Sequence, residues 1–284
     1  MKLLSSIPMP SWASQLKAVA TRCDTCHGYR AIRQLSTRKD GIRMQGSWYC
    51  SARCFTIAVE KEIVRLLSSA LQPESHVSRM PLGLNLVSRG LLTVEQLRVA
   101  ASEQKEAGGE IGEVLVRKGS VSEKQVTAIR AADWGCPVFA LPEHPVRIGV
   151  DIPSTLVRLY QMVPVHYVEA TSLLLVGFVH SVEYALLYTI EQMTECTTKP
   201  CFVTPSDFQV QMRYRERAQE QSGGTAARDR NFDNIKPPPE IARILCTAAL
   251  HMEADEALLG KCKEYLWARL KNASQAADFL FKVG

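Results

Sequence analysis

The middle of the chain carries a pattern of apolar, glycine and polar positions that occurs twice. It reads LGLNLVSRG at residues 82–90 and returns 29 positions later as IGEVLVRKG at residues 111–119. In both copies apolar residues recur at helical spacing before a closing glycine, which predicts a short helix that ends in a turn. The sequence therefore predicts an internal repeat.

A longer helix is predicted after each copy of this pattern. Thr93 and Ser122 each stand three residues before a glutamine, Gln96 and Gln125, which is the arrangement of a capping box. Apolar side chains then recur at helical spacing beyond both caps. Each repeat unit is thus predicted to contain a short helix, a glycine turn and a longer capped helix, within residues 80–135.

The pattern changes to strands beyond about residue 150. Residues 163–168 and 172–178 are rich in β-branched and apolar side chains and predict a β-hairpin. A helix is predicted at about 182–194, a short strand at 200–203 and another helix from Ser206 onwards. This ββαβα order is typical of a small sheet with helices on one face, so we assign an α+β fold class. The α+β part is expected to span residues 150–215.

Polar segments divide the chain. Residues 72–79 are predicted to be a linker, and residues 216–236, which contain few apolar side chains, a longer one. The tail, residues 237–284, begins with a helical pattern and continues with a predicted β-hairpin of residues 265–270 and 277–282. The expected parts of the chain are 1–71, 80–215 (80–135 and 150–215), 216–236 and 237–284.

Composition limits the class of protein. The chain has 284 residues, of which 46% are hydrophobic, enough to bury cores in two or three small domains. No apolar run approaches the roughly 18 to 20 residues that a membrane-spanning helix needs. Pro8 and Pro10 interrupt the N-terminal segment before a signal-peptide core can form, so we expect a cytoplasmic protein.

Four of the nine cysteines form two closely spaced pairs. Two residues separate Cys23 from Cys26, and three separate Cys50 from Cys54. Each short loop places two thiols on one side of a tetrahedral ion, and the intervening segment closes the site. We therefore predict one structural zinc ion per chain in a module of residues 1–71. The second pair opens a helical pattern, an arrangement that resembles a treble-clef zinc finger.

Other interpretations of these cysteines remain open. Residues 23–27, CDTCH, also match the attachment motif of c-type haem. That interpretation would leave Cys50 and Cys54 without a role. Four buried thiols without a metal are the other alternative, but such thiols have no reason to occur in pairs at these spacings. Zinc is therefore preferred, with His27 expected to be a bystander.

Positive charge is concentrated in the same region. Residues 1–79 contain 12 Lys or Arg and 5 Asp or Glu, a net charge of +7. The insert between the cysteine pairs contains Arg30, Arg33, Arg38, Lys39 and Arg43. A basic zinc module can bind phosphate backbones, so nucleic acid is a candidate partner. A solvated basic surface is preferred, since no aromatic platform accompanies the charges.

The two repeat units resemble the duplicated motif in the N-terminal domain of type II secretion and type IV pilus assembly ATPases, called the GspE N-terminal or MshEN domain. The resemblance continues through DWGCP at residues 133–137 and covers about residues 80–215. It implies the same α+β fold and a protein partner in secretion or pilus machinery. In some members the motif binds cyclic di-GMP. The matching positions are Leu82, Gly83, Leu86, Gly90, Leu97, Gln104, Ile111, Gly112, Leu115 and Gly119.

The positions that carry charge in this family differ here. The family's cyclic di-GMP mode uses an arginine just before each Leu-Gly pair and a glutamine that closes each longer helix. Gln104 retains one glutamine, but Pro81 and Glu110 stand at the arginine positions and Asp133 at the second glutamine position. A guanidinium stacks on guanine and pairs with phosphate, which proline and glutamate do not. We therefore expect weak nucleotide binding or none.

No catalytic motif is visible in the sequence. It contains neither a Gly-x-x-x-x-Gly-Lys-Ser/Thr phosphate loop nor a Gly-x-Ser-x-Gly nucleophile motif. Without a phosphate loop, phosphoryl transfer lacks its main charge stabilisation. We expect a non-catalytic interaction or regulatory protein that docks to secretion or pilus machinery, with the N-terminal domain standing alone without the ATPase core. A cyclic di-GMP receptor and a zinc-finger nucleic-acid binder are the alternatives.

Overall fold

The structure is a computed structural model that describes residues 22–28, 41–68, 79–142, 150–221 and 229–283. The chain forms two compact units: a terminal unit of residues 1–69 with 230–284, and a central unit of residues 70–229. Several sequence features lie outside the described residues, namely Pro8 and Pro10 of the N-terminal segment, Arg30, Arg33, Arg38, Lys39 and most of the predicted linker at 72–79. No helix in the described part of the chain is long and apolar enough to cross a bilayer.

A short hairpin and a helix open the described part of the terminal unit. Strands β1 (Ile42–Met44) and β2 (Ser47–Tyr49) pair antiparallel. Gln45 and Gly46 connect them with positive φ angles of 49° and 86°, as a tight two-residue hairpin turn requires. Helix α1 (Ala52–Ser68) follows, as its apolar periodicity predicts. Its buried residues are Cys54, Phe55, Ala58, Val59 and Ile63.

The predicted repeat is confirmed as two pairs of helices in the central unit. They are α2 (Leu82–Ser88), α3 (Val94–Ala107), α4 (Ile111–Arg117) and α5 (Glu123–Trp134). Both capping boxes are present. Thr93 Oγ1 accepts a hydrogen bond from the Gln96 amide nitrogen at 3.2 Å, and Ser122 Oγ accepts one from that of Gln125 at 3.3 Å.

The motif positions of the two copies have the same packing role. Leu86 and its counterpart Leu115 are fully buried in one core shared by the four helices. Gly83 lets its short helix approach a longer one, since a Cβ there would lie 2.4 Å from Leu97 Cδ1. Gly112 is less tightly enclosed, with the nearest side-chain atoms 3.1 Å from the corresponding Cβ. The Leu-Gly pattern is therefore a packing requirement of this repeat.

A three-stranded sheet and three further α-helices follow in the described part of the central unit. They are α6 (Ser154–Leu159), β3 (Met162–Val168), β4 (Leu173–Phe178), α7 (Tyr184–Thr194), β5 (Thr197–Phe202) and α8 (Pro205–Gln221). Strands β3 and β4 form the predicted antiparallel hairpin, with a register shift between Pro164 and His166. Strand β5 pairs parallel with β4, so the sheet order is β3-β4-β5. The short helix α6 is absent from the sequence prediction.

The structure corrects the predicted linker at residues 216–236. Helix α8 continues to Gln221, and strand β6 (Asp229–Phe232) follows. The helix extends because Arg, Ala, Glu and Gln between 215 and 221 are good helix formers, although they are too polar to show an apolar stripe. The strand is held by packing, since the Phe232 ring stacks on Phe281 with centroids 4.7 Å apart.

The chain then returns to the terminal unit. This part contains helix α9 (Pro238–Met252) and strands β7 (Glu256–Cys262), β8 (Tyr265–Lys271) and β9 (Ala276–Lys282). The predicted hairpin is confirmed as β8 and β9, which pair antiparallel, and β7 pairs antiparallel with the other side of β8. Strand β7 was missed because its apolar residues are interrupted by Gly260 and Lys261.

The two ends of the chain share one sheet. Its strand order is β2-β1-β7-β8-β9-β6, and β1 pairs parallel with β7 so that Arg43 faces Glu256 and Met44 faces Ala257. The sequence analysis separates residues 1–71 from 237–284, and the structure instead places residues 1–69 and 230–284 in one terminal unit. Helices α1 and α9 pack on each other, and Phe55, Ile63 and Leu245 belong to the core they share with the sheet.

Candidate metal centre and the repeat polar positions

The four predicted zinc ligands converge. The sulfur atoms of Cys23, Cys26, Cys50 and Cys54 all lie within 4.8 Å of one another. Neighbouring pairs are closer, with Cys26 Sγ 3.5 Å from Cys50 Sγ and Cys50 Sγ 3.8 Å from Cys54 Sγ. A tetrahedral ion with metal–sulfur bonds of about 2.3 Å holds its sulfurs about 3.8 Å apart. The donor set and its spacing therefore fit a four-coordinate soft ion such as zinc.

Local backbone structure places the first pair. Cys23 forms a parallel β-bridge with Trp48, so this segment lies beside β2. The backbone then turns: the His27 amide donates to the Cys23 carbonyl at 2.9 Å, and His27 adopts a left-handed φ of 60°. Both thiols of the pair thus project from one tight turn, while the His27 ring is outside the cluster of four sulfurs.

The second pair is placed by the end of β2 and the start of α1. Cys50 directly follows β2, and Cys54 lies in the first turn of α1, where its amide donates to Ser51 Oγ at 3.3 Å. Thr25 joins the two loops by donating from Oγ1 to the Cys54 carbonyl at 3.1 Å. The first turn, the end of β2 and the start of α1 therefore bring the four thiols together.

Thiol ionisation is uneven in this cluster. Burial opposes ionisation of Cys23, but backbone N–H groups that include those of Cys26 and Cys50 outweigh it and lower the Cys23 pKa to about 6. For Cys50, the hydrogen bond with the Cys26 thiol and burial raise the pKa to about 12. Four adjacent thiolates repel one another, and a bound divalent cation offsets that repulsion. The convergence of all four thiols favours a metal over the haem motif, which uses only the first pair.

We expect purified protein to carry about one zinc per chain, and replacement of one ligand, Cys50→Ser, to lose most of it. A hydroxyl is a much weaker ligand for zinc than a thiolate, and three remaining sulfurs leave the tetrahedron open. Elemental analysis of protein purified without chelators measures the zinc content. Cys136→Ser, which changes a half-buried cysteine of the central unit, serves as control and should keep its metal. Full zinc content in Cys50→Ser would refute the assignment.

The remaining motif positions lie on the repeat helices, and most of them pack. Leu82, Leu97 and Ile111 lie against the same buried core as Leu86 and Leu115. Gly90 and Gly119 end the short helices with left-handed φ angles of 69° and 68°. Gln104 forms an internal contact, since its Nε2 donates to the Gly109 carbonyl at 2.9 Å and closes the turn between α3 and α4.

The positions that depart from the family motif also have internal partners. Glu110, at the N-terminus of α4, forms an ion pair with Arg130, with Oε2 and Nη2 3.2 Å apart. Asp133 Oδ1 accepts a hydrogen bond from Asn85 Nδ2 at 2.5 Å, and Asn85 Oδ1 accepts one from Arg89 Nε at 2.9 Å. The polar groups of the repeat are therefore engaged within the central unit.

The buried side chain of Arg130 organises a cluster that the sequence analysis missed. Only 8% of this residue is exposed, and Nη1 donates to the Val179 carbonyl at 3.0 Å and lies 2.6 Å from His180 Nδ1. His180 Nε2 lies 3.7 Å from a carboxylate oxygen of Glu113. Arg130 thus ties the second repeat to the end of β4. The sequence did contain a signal of this cluster. Arg130 stands at the position that Ala101 occupies in the first copy, 29 residues earlier, so a charged residue replaces a small apolar one on an otherwise similar helix.

The contact with Arg130 requires a neutral His180. Arginine has no acceptor, so Nδ1 of the imidazole must accept the hydrogen bond and the proton must lie on Nε2, facing Glu113. Burial, and then the charge of Arg130, lower the pKa of His180 below its ordinary value of 6.5, against the opposing influence of Glu110 and Glu113. Protonation would place two cations in contact at a largely buried position.

This arrangement predicts an acid sensitivity of the central unit. The unfolded chain binds a proton at His180 more readily than the folded chain, so stability is retained above about pH 6.5 and is lost as pH falls towards the lowered folded pKa. Between pH 7 and pH 5 we expect the free energy of unfolding to fall more for wild type than for His180→Asn, which keeps an acceptor and does not titrate. The difference in unfolding free energy is measured by urea titration, with hydrogen exchange of peptides from the central unit as the readout of unfolding. Parallel pH profiles for the two proteins would contradict it.

Aromatic side chains form an exposed group elsewhere on the central unit. The Arg79 guanidinium lies 3.3 Å from the centre of the Trp134 ring, and the Trp134 and Tyr184 rings are 6.1 Å apart. Tyr184 and Tyr188, one turn apart on α7, are 58% and 62% exposed. Arg79, Trp134, Tyr184 and Tyr188 are called the aromatic patch below.

Comparisons with known proteins support the resemblance seen in the sequence. The chain is 29% identical over 129 residues to the type IV pilus assembly ATPase PilB of Thermus thermophilus, which is 45% of this chain and 14% of that protein. It is 32% identical over 87 residues to PilB of Myxococcus xanthus, 30% of this chain and 15% of the relative. The chain therefore spans only a small part of the length of these relatives. No family model matches it.

Solved structures of related domains show more distant similarity. A structure of MshE with c-di-GMP matches with a TM-score of 0.39 and 19% identity, over 48% of this chain and 99% of the other. The N-terminal domain of XpsE matches with a TM-score of 0.37 and 18% identity, over 47% and 92% respectively. The sequence matches to PilB confirm the resemblance: the chain carries a region similar to the N-terminal domain of type II secretion and type IV pilus assembly ATPases.

Proposed function

We propose that this protein is a non-catalytic interaction protein that docks through its central unit to a component of secretion or pilus machinery. The observation that carries the proposal is the 129-residue similarity to a pilus assembly ATPase, which falls on a chain whose sequence contains no phosphate loop. Phosphoryl transfer of the kind these ATPases catalyse needs a glycine-rich loop whose backbone amides and lysine surround the phosphates, and the sequence contains no such loop. The similar region is therefore proposed to serve recognition rather than turnover.

The aromatic patch is the proposed contact surface. Tyrosine and tryptophan are enriched at the centres of protein interfaces, because they bury a large apolar area and keep a polar group for hydrogen bonding. Tyr184 and Tyr188 expose most of their side chains although each carries a large ring. The Trp134 ring is held in place by Arg79, so part of the surface is already ordered before a partner binds.

The double substitution Tyr184→Ala and Tyr188→Ala should weaken capture of secretion or pilus proteins from the native cell by about tenfold or more, since removal of an interface aromatic commonly costs about 2 kcal/mol. Quantitative mass spectrometry of affinity-purified wild type and variant measures the captured proteins. Leu250→Ala, which changes another exposed apolar residue but in the terminal unit, is the control and should leave capture unchanged. Equal capture by both variants, or no secretion or pilus protein with wild type, would contradict the proposal.

A cyclic di-GMP receptor is the second candidate, favoured by the MshE structure with that ligand. The repeat helices supply the scaffold, but the polar groups described above are directed elsewhere. Gln104 bonds to Gly109, Glu110 pairs with Arg130, and Asp133 bonds to Asn85. Pro81 precedes α2 and offers no side-chain donor. Binding would require these groups to exchange an internal partner for the ligand, so we propose weak affinity or none.

Restoration of one cation tests this explanation. Pro81→Arg places a planar donor immediately before Leu82, and one charge-assisted contact contributes about 1.5–3 kcal/mol, which is roughly tenfold or more in affinity. Calorimetric titration with cyclic di-GMP should show a gain for Pro81→Arg over wild type. Pro81→Ala, which removes the ring without adding charge, should show none. Tight, saturable binding by wild type would replace the docking proposal with the receptor one.

A further inference from the structure

The candidate metal centre lies at one edge of the six-stranded sheet. The Cys23 segment bridges β2, the outermost strand of the sheet, through Trp48, and Cys50 directly follows that strand. An ion held by all four cysteines would therefore fasten the Cys23–Cys26 turn to both β2 and the start of α1. The strands of the edge hairpin are only three residues long. A hairpin of that length is not stable by itself, so it depends on the elements that flank it, the Cys23 segment beside β2 and strand β7 beside β1.

Direct contacts connect this hairpin with the last part of the chain. The Arg43 amide donates to the Asp255 carbonyl at 2.9 Å, and Gln45 Nε2 donates to the Leu259 carbonyl at 2.8 Å. The first bond attaches the hairpin to the residue directly before β7, and the second attaches it to β7 itself. The core shared with the C-terminal elements includes four buried hairpin residues: Ile42, Met44, Trp48 and Tyr49. The hairpin is therefore part of the core and not an independent finger.

A second connection passes through the helices. Cys54 lies in the first turn of α1, and α1 packs along α9. Cys246 on α9 has its sulfur 3.6 Å from the Ala52 carbonyl, in the segment between the second pair of candidate ligands. Cys246 is only 8% exposed. Movement of the start of α1 would open the contact that covers this thiol.

We propose that metal binding at the four N-terminal cysteines controls the order of the C-terminal residues 238–262, so that both ends of the chain fold as one metal-dependent unit. This inference rests on the zinc assignment. A preformed metal site does not exist in the unfolded chain, so metal binding free energy adds to folding free energy. Here that free energy reaches β7 through the bond of Gln45 to Leu259 and reaches α9 through the contact of Cys246 with Ala52, partners that are 214 and 194 residues apart in the sequence.

Cysteine labelling supplies the test, because each unit contains a buried thiol. Zinc-loaded full-length protein is kept reduced, treated with a zinc chelator and pulsed with an alkylating reagent, and labelled sites are measured by peptide mass spectrometry. Removal of zinc should raise the labelling rate of Cys246 by about tenfold or more, equivalent to about 1.4 kcal/mol of lost protection. Cys201, fully buried in β5 of the central unit, is the matched control and should keep its rate. Added zinc should restore protection of Cys246.

The outcomes separate the two assumptions. Protein that contains no zinc before chelation would overturn the metal assignment, and this inference with it. Protein that loses zinc while Cys246 stays protected would overturn the coupling alone and leave the site intact. An equal rise at Cys201 would show that the whole chain unfolds and would overturn the restriction to the terminal unit. Hydrogen exchange of peptides from β7, with β4 as control, gives an independent readout and should rise only for β7.

Discussion

The parallel pairing of β1 with β7 is the constraint on which the terminal unit depends. It brings Arg43 opposite Glu256 across more than two hundred residues of intervening chain, and the central unit lies wholly within that interval. Closing so long a loop costs conformational entropy, which a few strand hydrogen bonds do not offset. The free energy that offsets this entropy must come from two sources. One is the core that α1, α9 and the sheet share, and the other is the set of contacts that fix the edge hairpin.

The edge hairpin explains why the thiols matter to more than their own loops. Three-residue strands bury Ile42, Met44, Trp48 and Tyr49, yet one side of β2 would be an open edge without the Cys23 segment beside it. Open edges fray and pair with other chains. The four sulfurs have the spacing of a tetrahedral site and lie beside this edge. They are placed where the Cys23–Trp48 bridge, the end of β2 and the start of α1 meet. The candidate metal site therefore lies at the edge of the same sheet that joins the N-terminal hairpin to the C-terminal strands.

Periodicity and spacing predicted the features whose physics is local. The capping boxes at Thr93 and Ser122, and the thiol cluster, follow from short spacings that admit few geometries. Strand β7 and the β1–β7 pairing could not be predicted, because register between distant strands is decided by tertiary packing. Arg130 was missed for a related reason: its charge is tolerated in the interior only because Glu110, Val179 and His180 surround it in three dimensions.

The two repeat copies show how one scaffold can hold different polar chemistry. Leu86 and Leu115 are equally buried in the core that the four repeat helices share. The polar groups around them differ: Arg130 occupies the position of Ala101 and is satisfied by Glu110, whereas the first copy uses Asn85 between Arg89 and Asp133. A buried polar group is costly unless every donor has an acceptor, and here the acceptors come from the other copy, as for Asn85 with Asp133, or from beyond the repeat, as for Arg130 with Val179. A ligand at the motif positions would have to compete with these bonds, whereas a protein partner at the aromatic patch would not, and the proposal of docking over nucleotide capture rests on this difference.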